Sequence, residues 1–205
     1  MNSAVGLEDR SLVEGKTETA VKEVLKKFLD SQAAVQGRPR VGLKTKPLDS
    51  KLLSDERLRD QVAISLRDPE VECVVALIDV YPAFPSAQAA KTFLRDAVGA
   101  NPQFHAHAAQ FDTEAWLLPF WPDICRKLRV QRQPPGANPE QIDRQNPPSR
   151  RLTELYRIAG RDYDKPRDAR AILDGRDLTV IAARCPELKL FLNTLMVCAG
   201  LTALA

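Results

Sequence analysis

The chain has 205 residues, 44% of them hydrophobic and 28% charged, with 30 Lys/Arg against 27 Asp/Glu and a formal net charge of +3. That length builds one full-sized domain, or one domain with a small appendage, and the composition excludes a disordered or low-complexity chain. No apolar run approaches the roughly 20 residues that cross a bilayer, and the N-terminus lacks a basic-then-apolar leader, so a cytoplasmic protein without a membrane span is expected.

Residues 1–10 are polar and read as a flexible lead-in. Ser11 to Glu14 predicts a short strand, Gly15 a turn, and Thr17 the N-cap of a helix with Glu18 in its first turn, where acidic charge suits the helix dipole. Val21, Val24, Leu25, Phe28 and Leu29 recur at helical spacing, and this helix should end near Gly37. Val41 to Thr45 reads as a short strand and Ser54 to Leu66 as a charged amphipathic helix. Val71 to Asp79 is the clearest strand, continuously apolar from Val74 to Ile78, as in a strand covered on both faces. A loop through Tyr81-Pro82-Ala83-Phe84-Pro85 leads to a helix from Ser86 to Val98. Phe104 to Phe111 then reads as a strand, and Thr113 to Leu128 as a helix interrupted around Pro119 and Pro122.

Residues 131–149 are rich in Pro, Gln and Asn and form a long loop, a kind of segment that is often functional or mobile. Helices follow over Arg150–Ala159, Leu178–Ala183 and Glu187–Ala199, with a short turn over Arg167–Leu173. The expected organisation is therefore an α/β core over 11–130 with a mainly parallel central sheet flanked by helices, the loop, and a helical C-terminal part over 150–205 packed on the core. Cys73, Cys125, Cys185 and Cys198 are scattered without a CxxC pair, which argues for buried free thiols and against a structural zinc site.

Ligands of a parallel α/β sheet bind beyond the carboxyl ends of its strands. Glu14 and Asp79 close two of the predicted strands, and Asp112 and Glu114 follow a third. Adjacent parallel strands would crowd these acids together, and crowded carboxylates repel unless a cation such as Mg²⁺ or Mn²⁺ compensates them. A single acid at a strand end is more often a helix cap; three at one sheet edge are more specific. Glu18, one helical turn after Glu14, either faces the same site or caps its own helix.

Three motifs, Leu12-Val13-Glu14-Gly15-Lys16-Thr17-Glu18, Leu77-Ile78-Asp79-Val80-Tyr81-Pro82 and Phe111-Asp112-Thr113-Glu114-Ala115-Trp116-Leu117, occur in this order. Pro148-Ser149-Arg150-Arg151-Leu152, Tyr163-Asp164-Lys165 and Cys185-Pro186 follow them. From Leu12 to Leu195 the chain resembles a TOPRIM-like family of unknown function, related to OLD-type nucleases and to TOPRIM partners of ABC-type ATPases in anti-phage defence. The resemblance implies a Mg²⁺- or Mn²⁺-dependent nuclease cleaving DNA or RNA, with an ABC-type or AAA ATPase as partner. It implies Glu14 as general acid/base or metal ligand, Asp79 as the first aspartate of an Asp-x-Asp motif, and Glu114 as a further ligand supported by Asp112 and Glu18. Lys165 would stabilise charge on the scissile phosphate. The chain departs from the pattern at Tyr81, where the second aspartate would stand, which puts a full two-metal site in doubt.

Between Trp121 and Arg170 there are 12 Lys/Arg against 7 Asp/Glu, a balance that suits a phosphate-facing surface but suits a solvated face slightly better. Lys16, Arg126, Arg150 and Arg151 are the nucleic-acid-binding candidates. His105 and His107 share one strand face and are expected to pack or hydrogen-bond rather than act on substrate; Trp116, Phe120 and Trp121 are expected in the core or at a subunit contact of a homo-oligomer. The absence of GxGxxG and GxxxxGK[ST] argues against nucleotide hydrolysis by this chain alone. The competing function is a non-catalytic TOPRIM-like regulatory subunit that docks on a partner ATPase, and a primase-like phosphoryl transfer ranks third.

Overall fold

In the computed structural model the described residues are 8–14, 17–48 and 55–205, with side chains described for 21–46 and 56–205. Strands β1 (Glu8–Glu14), β2 (Gly42–Leu48), β3 (Val71–Asp79) and β4 (Phe104–Ala109) form one sheet in the order β2-β1-β3-β4. All three pairings are parallel, with Val13 of β1 opposite Leu77 of β3 and Asp79 of β3 opposite Ala109 of β4. Pro47 is accommodated in β2 because that strand pairs with β1 alone among the described strands, so its missing N–H costs no ladder bond on the other side.

β3 is continuously apolar because both its faces are covered. Cys73, Val75 and Leu77 enter one core with helix α1 (Thr17–Val35) and the C-terminal helices. Val74, Ala76 and Ile78 enter the other, beneath α2 (Asp55–Leu66) and α3 (Ala87–Val98). α1 stops as expected: Gly37 adopts φ 64 and the Arg38 N–H reaches back to the Ala33 carbonyl at 2.8 Å, closing the last turn.

The chain after β4 differs from the expected pattern in three places. The strand ends at Ala109 rather than Phe111, because Phe111 takes φ 68 and turns the backbone. The expected interrupted helix is a 3₁₀ segment, Thr113–Phe120, followed by α4 (Trp121–Leu128); Pro119 lies within the first and Pro122 opens the second. The expected turn at 167–173 is the helix α6 (Lys165–Leu173), started by the Asp164 side chain accepting from the Arg167 N–H at 2.9 Å and by Pro166 in the first turn. α5 (Pro148–Ile158), α7 (Leu178–Ala182) and α8 (Pro186–Cys198) complete the set.

The Pro-rich loop before α5 is pinned along its length. Trp121 Nε1 donates to the Arg132 carbonyl at 3.1 Å, Arg184 donates to the Ala137 carbonyl at 3.0 Å, and Glu140 accepts from the Glu187 N–H at 3.0 Å. Glu140 thereby takes the place of a cap at the start of α8, and burial pushes its carboxyl up to about 7.

The expectation of four free thiols is corrected for two of them. Cys73 of β3 and Cys198 at the end of α8 form a disulfide with Cα atoms 6.2 Å apart, while Cys125 and Cys185 are free and buried. The pairing spans 125 residues, so no local spacing could announce it. No helix among the described residues is long and apolar enough to cross a membrane.

α8 carries Phe191, fully buried, stacked against Trp116 at 6.0 Å between ring centroids and met edge-on by His107 at 5.6 Å. Phe191→Ala is expected to destabilise the fold by about 3–5 kcal/mol through lost burial and a residual cavity. Urea unfolding measures this, and a loss below about 1 kcal/mol would show that α8 does not anchor the core.

Candidate metal and catalytic centre

The site is built where β3 and β4 end. The Val80 N–H bonds to the Ala109 carbonyl at 3.1 Å and the Tyr81 N–H to the Phe111 carbonyl at 2.6 Å, so the two strand ends stay paired as the chain turns at Phe111. That turn presents the Thr113 N–H to Asp79 Oδ1 at 3.0 Å. It also directs Asp112 to the start of α5, where the Ser149 N–H bonds its Oδ2 at 3.1 Å. Glu14 closes β1 beside the end of β3, by the register that pairs Val13 with Leu77. Glu14 and Glu18 are placed by their backbones alone, and Gly15 and Lys16 lie outside the described residues.

Glu114 has 0% exposure, and neither of its carboxylate oxygens has a hydrogen bond of good geometry among the described residues. A buried carboxylate left so would be strongly unfavourable. The compensation comes from Lys165, the first residue of α6, whose Nζ lies 2.9 Å from Glu114 Oε1. Burial alone would lower the Lys165 pKa; the Glu114 carboxylate, with Asp79 and Asp112 behind it, outweighs burial and holds the ammonium above its ordinary range. The lysine is about half exposed, so one flank of the pair faces solvent.

Asp112 is 3% exposed, and its Oδ1 has no hydrogen-bond partner among the described residues. Burial, then the Glu114 charge, push its carboxyl up to about 6 against the opposing Ser149 bonds. The Tyr163 hydroxyl is likewise buried without a hydrogen-bond partner among the described residues, and burial followed by the Glu114 charge drives its pKa upward. This hydroxyl was not among the candidates. Its tyrosine opens the Tyr163-Asp164-Lys165 segment of the motif resemblance, and that membership, with its place two residues before Lys165, is the signal that could have found it.

Asp112 Oδ1 and the Glu114 carboxylate, paired only with Lys165 among the described residues, are with Asp79 the hard oxygen donors that Mg²⁺ and Mn²⁺ take. Their present arrangement is not a closed cage: Asp79, Asp112 and Glu114 do not bring ligand atoms within 4.8 Å of one another as a group. Tyr81, in place of a second aspartate, lies under the Arg144 guanidinium at 6.0 Å. Arg144 also donates to the carbonyls of Pro82, Phe84 and Pro85 at 3.4, 2.6 and 3.1 Å and so fixes the loop after β3.

The basic candidates divide. Arg150 and Arg151 lie in the first turn of α5, next to the Ser149 N–H that holds Asp112, and donate to the carbonyls of Gln145 and Asn146. Arg126 is exposed on α4 and pairs with Asp123 at 2.9 Å. His107 Nε2 meets Thr194 Oγ1 at 2.9 Å, and burial, then Lys91, push its pKa down to about 3, so it is a neutral packing residue. Trp116 and Trp121 are buried in the core and are not platforms for a base.

A family model for a domain of unknown function, DUF4276, matches residues 13–196. The chain belongs to the DUF4276 family. Among solved structures, this DUF4276 chain is similar to the C-terminal region of the Burkholderia pseudomallei OLD protein, at 12% identity and a TM-score of 0.50, over 90% of this chain and 94% of that one. The C-terminal region of the Xanthomonas campestris pv. campestris OLD protein is also similar, at 15% identity and a TM-score of 0.47, over 93% and 94%. No curated protein matches the sequence. The fold is thus the TOPRIM-like one of the OLD C-terminal region, with a helical C-terminal end, as the motif resemblance implied.

Asp112 gives a pH test of this centre. Its folded pKa, about 6, lies above the ordinary 3.8, so its contribution to stability is fully present below about pH 4 and is lost as pH rises through about 6. Without divalent cations, Asp112→Asn should be more stable than the parent at pH 7.5 by on the order of 1–3 kcal/mol, with a flatter pH profile. Urea unfolding between pH 4.5 and 7.5 measures this, and an unchanged slope would show that Asp112 is not held against its ionisation.

Proposed function

We propose that this DUF4276 protein is a nuclease-like TOPRIM protein that hydrolyses phosphodiester bonds in DNA or RNA with Mg²⁺ or Mn²⁺. The observation that carries this reading is the meeting of Lys165 with Glu114, in the field of Asp79 and Asp112, at the carboxyl edge of a parallel sheet. In this reading Glu14 and Asp79 hold the cation, with Glu114 and Asp112 as nearby oxygen donors and Glu18 as support. When bound, the cation supplies charge neutralisation at the phosphate and lowers the pKa of a coordinated water. Glu14 takes or delivers a proton, and the half-exposed Lys165 ammonium faces the oxygen on which negative charge grows. Arg150 and Arg151, with Lys16, supply positive charge for the nucleic-acid backbone, and Arg126 extends it along α4. The structural likeness to the OLD C-terminal region supports the fold on which this reading depends. A cytoplasmic setting and delivery by an ATPase-linked defence system belong to the same proposal.

A second reading has its own observation. Glu114 is sealed from solvent and paired with Lys165, and among the described residues Asp79, Asp112 and Glu114 do not bring their oxygens together as a group. An ion pair of that kind also suits a non-catalytic TOPRIM-like subunit that docks on a partner ATPase, with the acids holding α5 and α6 in place.

Cleavage of plasmid DNA and of structured RNA by the purified chain with Mn²⁺ separates the two. Hydrolysis is expected to require the cation. Glu14→Ala and Asp79→Ala should abolish it, and Lys165→Met should cost at least about 100-fold. No heat on titrating Mn²⁺ into the protein, together with cleavage absent or unchanged in all three variants, would sink the nuclease and leave the docking subunit.

A further inference from the structure

A second group of metal-ligating side chains lies on the same core face, toward the opposite ends of the strands. Cys73 enters β3 two residues before Val75, and Val75 is paired in register with His105 of β4, so Cys73 and His105 are diagonal neighbours on one face. Cys198, the last residue of α8, is carried down onto them. The Cys73 and Cys198 sulfurs and a His105 ring nitrogen all lie within 4.8 Å of one another, with Cys73 buried and the other two half-buried. Ligand atoms around one tetrahedral zinc stand roughly 3.3–3.8 Å apart, so small side-chain adjustments close this group on an ion.

We propose that Cys73, His105 and Cys198 form a structural site for Zn²⁺ or a similar thiophilic divalent cation, which ties the end of α8 to β3 and β4 whenever the two sulfurs are not joined to each other. The donor set decides the class of ion: two sulfurs and an imidazole select zinc-like metals over Mg²⁺ or Mn²⁺, which take oxygen. Two thiolates balance the double charge of the ion, so the filled site is neutral and suits a half-buried position. Disulfide and metal are alternative ties at one point. A dithiol reductant supplies the two electrons and two protons that open the Cys73–Cys198 bond, and itself becomes a disulfide. Binding of Zn²⁺ then displaces the two thiol protons and leaves two thiolates and a neutral imidazole on the ion, with water in the fourth position. In a reducing compartment, where disulfides are rare, the metal form is the one that holds α8.

The test uses the full chain, reduced with a dithiol, desalted without oxygen and titrated with Co²⁺ in excess Mg²⁺ to occupy oxygen-donor sites. One equivalent should bind with near-ultraviolet thiolate-to-cobalt absorption and the intense visible bands of four-coordinate cobalt, and one equivalent of Zn²⁺ should remove both. Cys125→Ser should leave the spectrum unchanged, whereas Cys198→Ser and His105→Gln should lose the stoichiometric site. His105→Gln keeps both sulfurs and is checked for folding in its oxidised form, so failure of Cys198→Ser to fold does not block the test. A reduced protein without a thiolate–cobalt band, or a band kept in His105→Gln and lost in Cys125→Ser, overturns the proposal. Neither outcome touches the nuclease reading, which rests on other residues.

Discussion

A carboxylate with no solvent contact has to be answered by charge, and much of the C-terminal half of this protein is arranged around that requirement at Glu114. Lys165 opens α6 at the point where its ammonium reaches the Glu114 oxygen, and Tyr163, just before it, packs its ring against Tyr156 of α5 at 5.1 Å. The neighbouring Asp112 receives the Ser149 N–H at the start of α5, and Asp79 receives the N–H of Thr113. Two acids therefore each locate a different piece of backbone and the third, Glu114, meets the Lys165 side chain at the start of α6, at the edge of the sheet where an α/β fold places its chemistry. Removing any of them disturbs architecture as well as charge, which is why double variants, such as a lysine change paired with a neutral Glu114, report more cleanly than single ones.

The same helices close the sheet face. α8 crosses it with Phe191 between Trp116 and His107, and Thr194 one turn further on bonds the His107 ring. At its start Glu140 accepts from the Glu187 N–H, and the Glu187 carboxylate binds Lys91 of α3 at 2.8 Å. At its end Cys198 reaches β3. α8 is thus fixed at both ends and in the middle by three different kinds of interaction.

The elements most legible in the amino-acid sequence were those in which local pattern and tertiary role agree. β3 was readable to the residue because a strand buried on both faces needs an unbroken apolar run, and α1 because its stripe and its terminal Gly37 both follow helical rules. α6 reads as a turn from sequence, since charged and apolar residues are mixed through its nine positions and its start signal is an Asp-Lys-Pro whose capping role shows only when the Arg167 N–H is seen on Asp164. The acids at the strand ends were visible as a set, because strand ends in a parallel sheet share one edge. The approach of Lys165 to them is implied by the motif resemblance and not by local pattern, for it depends on how α5 and α6 fold back across the chain. The Cys73–Cys198 pairing was hidden for the same reason: proximity across 125 residues is a product of the finished fold.

The clamp formed by Arg144 has a consequence for anything that approaches this edge. One planar guanidinium holds three carbonyls of the loop after β3 and covers the Tyr81 ring. The rim beside the acids is therefore ordered when the protein folds, not when it binds, by a side chain that arrives from more than fifty residues downstream. An incoming molecule meets a surface whose loop entropy is already lost, so association there is governed by shape and charge rather than by the cost of ordering a flexible lip.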